Sequence, residues 1–248
     1  QPNDSLMGRI FRRQPFITSF PYLERFEEND GYWYADGKSS SWEYGTPAAV
    51  YIQKAASGTG AWKTSLDGNY NNMEYSFLYS PCFDVSGLSE PMLSFSLALD
   101  IEQCEGELCD GAWVEYSTDG GDWQKLGNTG TGTNWYNTEN EVWSIPEFNR
   151  WHVASAMLPK AKNLRLRFVL KADPGVAMEG IAVDDIHIFD RMHTVYTGGG
   201  TEEITVDAES GRWNSVLKDD QWIIQLHTGA QEVGTTTVQV HQHEQLYD

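Results

Sequence analysis

Residues 91–101 read PMLSFSLALDI, and apolar side chains alternate here with small or polar ones. Successive side chains of a strand point to opposite faces, so every second residue shares a face. Four large apolar side chains lie together on this basis: Leu93, Phe95, Leu97 and Leu99. The opposite face carries Ser94, Ser96, Ala98 and Asp100. This period of two predicts a half-buried β-strand whose leucine face is turned toward a core.

Further strands are predicted downstream of this one. The segment AWVEYS at 112–117 is followed by the tight turn STDGGDW and by WQKL, a pattern that predicts a hairpin. In NLRLRFVL, residues 163–170, leucines alternate with Arg165 and Arg167, so both arginines are expected to face outward. The segment GIAVDDIHIF at 180–189 closes the set. Short strands, long loops and no convincing helical pattern predict an all-β fold, an antiparallel two-sheet sandwich of jelly-roll type.

Composition changes along the chain predict three regions. Residues 1–15 show no clear period and are interpreted as an N-terminal tail or the end of an upstream region. The sandwich is expected to span 16–190. The Gly-rich segment TVYTGGGTEE then precedes three further strand-like runs, EEITVDA, QWIIQLH and TTTVQVHQH. Because this sequence is short for an independent domain, residues 191–248 are interpreted as a linker and a partial or truncated second β-module.

The charge balance excludes several classes of partner. Seventeen basic residues stand against 36 acidic ones, a formal net charge of −19. Nucleic acids and anionic membranes attract basic surfaces, so neither is expected to bind. No apolar run of 18 residues is present, and membrane insertion is therefore not expected. The dispersed acidic residues form a solvated surface, or a few of them bind a hard cation such as calcium.

The three cysteines allow one short bridge. Cys104 and Cys109 bracket the segment CEGELC, which a disulfide could close. Cys82, in SPCF, has no obvious partner in the sequence. The alternative is three unpaired, partly buried thiols, because close spacing alone does not establish the geometry of a disulfide.

The order of several motifs resembles the MAM domain family. These motifs are FEENDGYWYADG, SWEYG, LDGNY, LYSPCFDVSG, PMLSFSL, DGAWVEYSTDGGDW, NLRLRFVL and EGIAVDDIHI, and together they cover about residues 16–190. The closest likeness is to bacterial MAM-like modules of large secreted and cell-surface proteins, often exported by the type IX pathway. The resemblance implies a jelly-roll sandwich that mediates adhesion or accompanies catalytic domains, and many members bind a structural cation.

The resemblance also implies a set of metal ligands. The acidic early motif of the family falls on Glu27, in FEEN, and on Asp36, in WYAD. The late motif falls on Asp184 and Asp185. The disulfide pattern of animal MAM domains does not map onto the three cysteines, so the receptor dimerisation of the animal domains is not expected.

Asp184 and Asp185 lie between apolar residues, so at least one of their carboxylates should be buried. A buried carboxylate is costly unless it is paired, hydrogen-bonded or bound to a metal. Calcium takes six to eight oxygen ligands, and Glu27, near the first strand, is expected to approach the last strand and share one ion with the aspartates. The alternative is that the aspartates accept hydrogen bonds from loop amides or pair with Arg165 or Arg167. The sequence favours a structural calcium ion.

Loop aromatics form a second candidate site. Trp42, Trp135 and Tyr136 fall in loops, where exposed rings could stack on sugars, and jelly rolls include many carbohydrate-binding domains. The alternative, which the sequence favours, is that these rings close the ends of the sandwich and pack over the core.

No catalytic motif stands out in the chain. There is no HExxH zinc motif, no GxSxG elbow and no phosphate loop. The sequence therefore predicts a non-catalytic adhesion or docking module of a larger secreted or cell-surface protein. Its expected partners are another surface protein or a glycan, together with neighbouring domains of the same chain. The alternative function is a carbohydrate-binding module that accompanies a secreted enzyme, such as a glycosidase or a peptidase.

Overall fold

The computed structural model describes residues 14–104, 108–144 and 150–191, and the backbone of three strands within residues 213–237. In chain order the strands are β1 (Phe16–Ile17), β2 (Tyr22–Glu24), β3 (Tyr34–Lys38), β4 (Trp42–Gly45), β5 (Ala61–Thr64), β6 (Tyr75–Phe83), β7 (Pro91–Asp100), β8 (Gly111–Thr118), β9 (Gln124–Lys125), β10 (His152–Met157), β11 (Leu164–Lys171), β12 (Gly180–Asp190), β13 (Trp213–Lys218), β14 (Gln221–Thr228) and β15 (Gln231–Thr237). The described residues contain no helix, and so none that could span a membrane.

Strands β1 to β12 form two sheets. The first sheet has the order β1-β6-β11-β8-β9, and β3 also pairs with β6. The second sheet has the order β10-β7-β12-β5-β4, and β2 also pairs with β12. All pairings are antiparallel except that of β1 with β6. The prediction of an all-β antiparallel sandwich of jelly-roll type is therefore confirmed.

The core lies between the sheets, where side chains from both inner faces meet. Phe95 of β7 reaches across to Phe168 of β11, with ring centroids 4.9 Å apart. Trp135 and Trp143 pack edge-on against the same Phe95 ring, at 5.8 and 5.9 Å. Edge-to-face packing at these distances is favourable for aromatic rings, so this cluster joins the two sheets at their centre.

Strand β7 differs from its prediction on one face. The leucine face is buried as expected, but Ser94, Ser96 and Asp100 on the other face are buried as well. The loop that follows β4 covers this second face, and Ile52 packs there against Ala98. The prediction that β7 is half-buried was wrong, because a long loop takes the place of solvent on its second face. The local sequence pattern of the strand does not show the path of that loop.

Strand β12 contains a bulge at the paired aspartates. The register with β7 shifts between Asp184 and His187. On the other edge, β12 pairs with β5 at Ala182 and Val183 and then with β2 from Ile186 onward. Asp185 has a positive φ of 49°, which is uncommon outside glycine and fits the extra residue of a bulge. The aspartates thus lie where the neighbour of β12 changes.

The remaining predictions on organisation have mixed outcomes. The β8–β9 hairpin forms, and Cys104 and Cys109 are joined by a disulfide, while Cys82 is a free thiol. Strands β13, β14 and β15 form an antiparallel three-stranded sheet. The run EEITVDA and almost all of the predicted tail at 1–15 lie outside the described residues. The domain bounds at 16–190 and 191–248 stay predictions.

Candidate functional site

Aromatic and basic side chains cover the surface of the first sheet that faces away from the core. The aromatic and guanidinium groups of this outer face of the first sheet are those of Tyr34, Tyr75, Phe77, Tyr79, Trp113, Trp123, Arg165 and Arg167. Tyr34 and Tyr75 are exposed, at 39% and 41%, and the other six side chains are half-buried. The surface is therefore open to a ligand, although each ring is braced by its neighbours.

The strand period explains why these residues share a face. In β6 the inward positions Ser76, Leu78 and Ser80 are fully buried, so the aromatic residues between them point outward. The register then aligns side chains on five neighbouring strands. In order from β3 to β9 these are Tyr34, Tyr79, Arg167, Glu115 and Lys125. One row of rings and charges therefore crosses the whole sheet.

The rings of this face stack on each other and on the guanidinium groups. Tyr34 and Tyr79 are stacked, with centroids 5.0 Å apart and planes 15° apart. Arg165 lies 5.8 Å from the Tyr34 centroid and 5.7 Å from that of Tyr79. Arg167 lies 4.1 Å from the centroid of Phe77 and 4.3 Å from that of Trp123. Cation–π contacts of this kind hold both arginines against the sheet.

The two arginines differ in how their charge is balanced. Arg167 forms an ion pair with Glu115, with 2.6 Å between Arg167 Nε and Glu115 Oε2. Among the described residues, Arg165 donates through Nη2 alone, to Gln14 Oε1, the Tyr34 hydroxyl and the Ser80 carbonyl, and its buried Nε has no acceptor. Within the described parts of the chain, no carboxylate forms an ion pair with Arg165. The outer face therefore contains one half-buried cation that its neighbours leave unneutralised.

A second candidate site, the acidic rim, lies around loop 56–60 and contains three of the predicted metal ligands. Asp184 Oδ2 accepts hydrogen bonds from the amides of Ala56 and Ser57, at 3.0 and 3.1 Å. Asp185 accepts from the Ser57 hydroxyl at 2.6 Å and from the Ser96 hydroxyl at 3.0 Å. Adjacent strand residues should point apart, but the bulge turns both carboxylates toward Ser57.

Glu27 holds the other side of the same loop. Its carboxylate accepts hydrogen bonds from the Thr59 amide at 2.9 Å and from the Gly60 amide at 3.1 Å. Burial alone would raise the pKa of Glu27, but the amides of Gly60 and Thr59 outweigh it and lower this pKa. Glu27 thus contacts the same loop as the two aspartates, at residues 59–60 rather than 56–57, and the prediction that the three carboxylates share one ion stays a prediction.

Asp36 lies elsewhere in the fold. It is exposed on β3 in the first sheet, opposite Phe77, and it accepts a hydrogen bond from the Gly37 amide. The described structure shows no contact between Asp36 and the acidic rim. Arg165 and Arg167 also lie on the outer face of the first sheet, so the alternative that they pair with the aspartates is wrong, whereas hydrogen bonds from loop amides are present at Asp184.

The two adjacent aspartates of the acidic rim are buried together. Asp184 and Asp185 are 0% and 1% exposed, and Arg25 Nε lies 3.9 Å from Asp185 Oδ1. Burial, followed by the neighbouring charge of Asp185, raises the pKa of Asp184 to about 8. An added cation would relieve this repulsion.

The donors around the two aspartates suit different roles. Asp185 is held by two hydroxyl groups, which are themselves oxygen ligands of the kind calcium accepts. Asp184 is held by amide N–H groups, which repel a cation and suit a structural hydrogen-bonding role. Among the described residues, one set of three carboxylates comes within 4.8 Å, namely Glu102, Asp110 and Asp173. The four predicted ligands do not form such a set.

The predicted sugar platforms are buried. Trp42, Trp135 and Tyr136 are only 6%, 1% and 4% exposed, so none of them offers a ring face to a ligand. Trp135 Nε1 and the Tyr136 hydroxyl both donate to the Leu126 carbonyl, at 2.8 Å. The ligand-binding assignment of these rings is therefore wrong, and the alternative, that they pack over the core, describes their position.

No binding site on the outer face of the first sheet was predicted from the sequence, although the sequence contains a pattern that indicates one. The run YSFLYS at 75–80 places aromatic residues at every second position, between small or apolar inward ones. Arg165 and Arg167 were correctly expected to face outward. What the sequence did not show is that β3, β6 and β11 are neighbours, because these strands are distant along the chain.

Comparisons with known proteins give partial likenesses. No protein-family model matches the chain, and the resemblance to MAM domains stays a prediction. Bacillopeptidase F of Bacillus subtilis (strain 168) is 28% identical over 179 residues, which make up 72% of this chain and 11% of that protein. The chain thus spans only a small part of the length of this relative.

Two solved structures are also similar. The carbohydrate-binding module TmCBM61, in complex with β-1,4-galactotriose, matches with a TM-score of 0.40 and 10% identity, over 67% of this chain and 91% of that chain. The K1 cleaved adhesin domain of Lys-gingipain from Porphyromonas gingivalis W83 matches with a TM-score of 0.42 and 15% identity, over 69% of this chain and 99% of that chain. These neighbours are a carbohydrate-binding module and an adhesin domain.

Proposed function

We propose that this chain is a non-catalytic binding module of a larger secreted or cell-surface protein, and that it binds a carbohydrate on the outer face of the first sheet. The observation that carries this proposal is the exposed Tyr34 ring, stacked on Tyr79 beside the unneutralised Arg165. A sugar ring offers an apolar C–H face together with hydroxyl groups. A surface that alternates rings with hydrogen-bond donors is complementary to both.

The distribution of charge on this face favours a sugar over a protein partner. The centre of a protein–protein interface is depleted of Lys, Glu and Asp, whereas aromatic residues and Arg are enriched there. Here Glu115 lies near the centre of the row and Lys125 at its end, and these two charges are the ones that an interface with a protein would disfavour. Docking to another surface protein is the alternative function. The match to one segment of bacillopeptidase F supports a place within a longer chain, whose activity and export route, including the type IX pathway, stay predictions.

Replacing Tyr34 with alanine is expected to weaken glycan binding by about tenfold, ~1.4 kcal/mol, because it removes the most open ring of the stack. Tyr51→Ala is the matched control, since Tyr51 is 52% exposed but lies in the loop after β4, outside the outer face. Affinity electrophoresis in gels that contain a panel of plant and bacterial polysaccharides measures the effect, and thermal midpoints establish that both variants fold.

Two results would count against the glycan proposal. If Tyr34→Ala and Tyr51→Ala bind every retained polysaccharide equally well, the outer face is not the binding surface. If no polysaccharide is retained while a purified cell-surface protein binds wild type and loses affinity for Tyr34→Ala, the function is protein docking.

We further propose that a structural calcium ion binds at the acidic rim, with the Asp185 carboxylate as its main protein ligand. The support is the burial of two adjacent carboxylates, since burial and the neighbouring charge of Asp185 raise the pKa of Asp184. The hydroxyl oxygens of Ser57 and Ser96 and carbonyls of loop 56–60 would supply further hard ligands. Such an ion would tie β12 to the loop that covers β7.

Removal of calcium is expected to lower the thermal midpoint by roughly 5–10 °C when the ion is present at about 100 times its Kd, a stabilisation of about 2.7 kcal/mol. Asp185→Asn should abolish the response to chelator, and Asp36→Asn should retain it, because Asp36 lies on the other sheet. Differential scanning calorimetry with and without EGTA provides the measurement. Equal midpoints of the wild type in calcium and in EGTA would contradict the proposal.

A further inference from the structure

The outer face of the first sheet differs in sign from the rest of the chain. The whole chain has a formal charge of −19. Along its six strands, the outward positions include five basic residues and two acidic ones. The basic residues are Lys38, Lys125, Arg165, Arg167 and Lys171, and the acidic residues are Asp36 and Glu115. A basic patch on a strongly acidic protein favours an anionic ligand at that place.

Arg165 is the residue through which this charge can act. Its three hydrogen bonds to the described residues all involve Nη2, so Nη1 has no acceptor among them. Arg167, in contrast, is committed to Glu115 and is only 12% exposed. A guanidinium group pairs with carboxylates through short, charge-assisted hydrogen bonds. Its Nε also lacks an acceptor but is buried, so among the described residues Nη1 is the donor group that Arg165 can offer to a ligand, directly beside the exposed Tyr34 ring.

From this juxtaposition we infer that the outer face of the first sheet recognises carboxylated sugars, as found in polyuronates, and that Arg165 binds the sugar carboxylate. This inference rests on the proposed function and narrows its ligand class. The Tyr34–Tyr79 stack would contact the apolar face of the pyranose ring. Arg165 lies within 5.8 Å of both ring centroids, so one uronate unit can contact the stack and the guanidinium group together.

The test compares each acidic polymer with its uncharged counterpart. Polygalacturonate and alginate serve as probes, beside methyl-esterified polygalacturonate and carboxyl-reduced alginate. The wild type is expected to bind at least one acidic polymer at least tenfold more tightly than its uncharged counterpart. Arg165→Gln should lose at least tenfold in affinity for the acidic polymer and be unchanged on the uncharged one. Arg150→Gln, an exposed arginine outside the outer face, should behave as wild type.

Several outcomes would overturn the inference. Equal binding of acidic and uncharged polymers would refute carboxylate recognition, yet it would leave the proposed glycan-binding function intact if Tyr34→Ala still weakens both. Failure to bind either acidic polymer would also refute it. Binding of dextran sulfate or polyglutamate as tightly as the best polyuronate would show attraction to charge alone. Isothermal titration at two salt concentrations gives the affinities, and thermal midpoints establish the folding of each variant.

Discussion

Replacement of Lys63 with methionine is expected to lower the free energy of unfolding by about 3–5 kcal/mol, one of the two largest effects we predict. Lys63 is completely buried, and its three Nζ–H groups are shared among four backbone carbonyls. The acceptors are those of Thr64 at 3.0 Å, Ser65 at 2.5 Å, Gly68 at 3.2 Å and Glu179 at 2.9 Å. Methionine matches the length of lysine, but it leaves all four carbonyls without this donor. Chemical denaturation measures the loss.

Lys54→Met is the matched control, because Lys54 is exposed and should change the free energy of unfolding by less than about 0.5 kcal/mol. A loss below about 1 kcal/mol in Lys63→Met would contradict the assigned role, since it would mean that the carbonyls find other donors.

The free energy of unfolding is expected to depend on pH through Lys63. Burial lowers the pKa of Lys63 to about 8, and the charges of Glu179 and Asp100 limit the decrease. The pKa of lysine in an unfolded chain is about 10.4. Between pH 8 and this value, the unfolded chain therefore binds a proton at Lys63 that the folded chain has lost. The free energy of unfolding of the wild type should therefore rise across this window relative to Lys63→Met. A difference between the two proteins that stays constant from pH 7.5 to pH 10 would contradict this lowered pKa.

The second large effect is expected for Phe95→Ala, a loss of about 3–5 kcal/mol. The Phe95 ring contacts Phe168 of the opposite sheet and the rings of Trp135 and Trp143, and it is 1% exposed. Truncation leaves a cavity that three rigid rings cannot fill. The thermal midpoint should fall by roughly 10 °C, as measured by calorimetry.

Two further variants control this prediction. Phe95→Leu retains much of the volume and should lose less than half as much. Phe16→Ala removes a ring that is 51% exposed on the outermost strand and should stay within about 1 kcal/mol of the wild type. If Phe95→Ala and Phe16→Ala lose the same amount, the aromatic cluster does not join the sheets.

Patterns within single strands predicted much of the fold. Alternation in β7 and β11 correctly assigned the strands and the face that each turns toward the core, because that period is a local property of the chain. Contacts between distant segments were not accessible in this way. The loop that packs Ile52 against Ala98 of β7, and the edge of β12 that β5 and β2 share beside the aspartates, depend on the tertiary path of the chain.

The candidate sites also combine features that the local sequence predicted with features that depend on tertiary contacts. Glu27 and the aspartate pair were expected to approach each other, and they do bind one loop, but the amides of Ala56, Thr59 and Gly60 that hold them belong to a loop conformation. Trp135 and Tyr136 are residue types that could form a sugar platform, but their burial and their hydrogen bonds to the Leu126 carbonyl show that they point inward.

The length and ends of the row from Tyr34 to Lys125 determine how a polymer could lie on this face. Five strands spaced about 4.8 Å apart make this row about 19 Å long. It begins on β3 and ends on β9, and among the described residues neither strand pairs with a further strand. At the β9 end, Lys125 Nζ donates to the carbonyls of Asn140 and Glu141, so a loop lies beside this end of the row. A polymer bound across the strands would therefore extend freely past β3 and meet the loop at 140–141 on the side of β9.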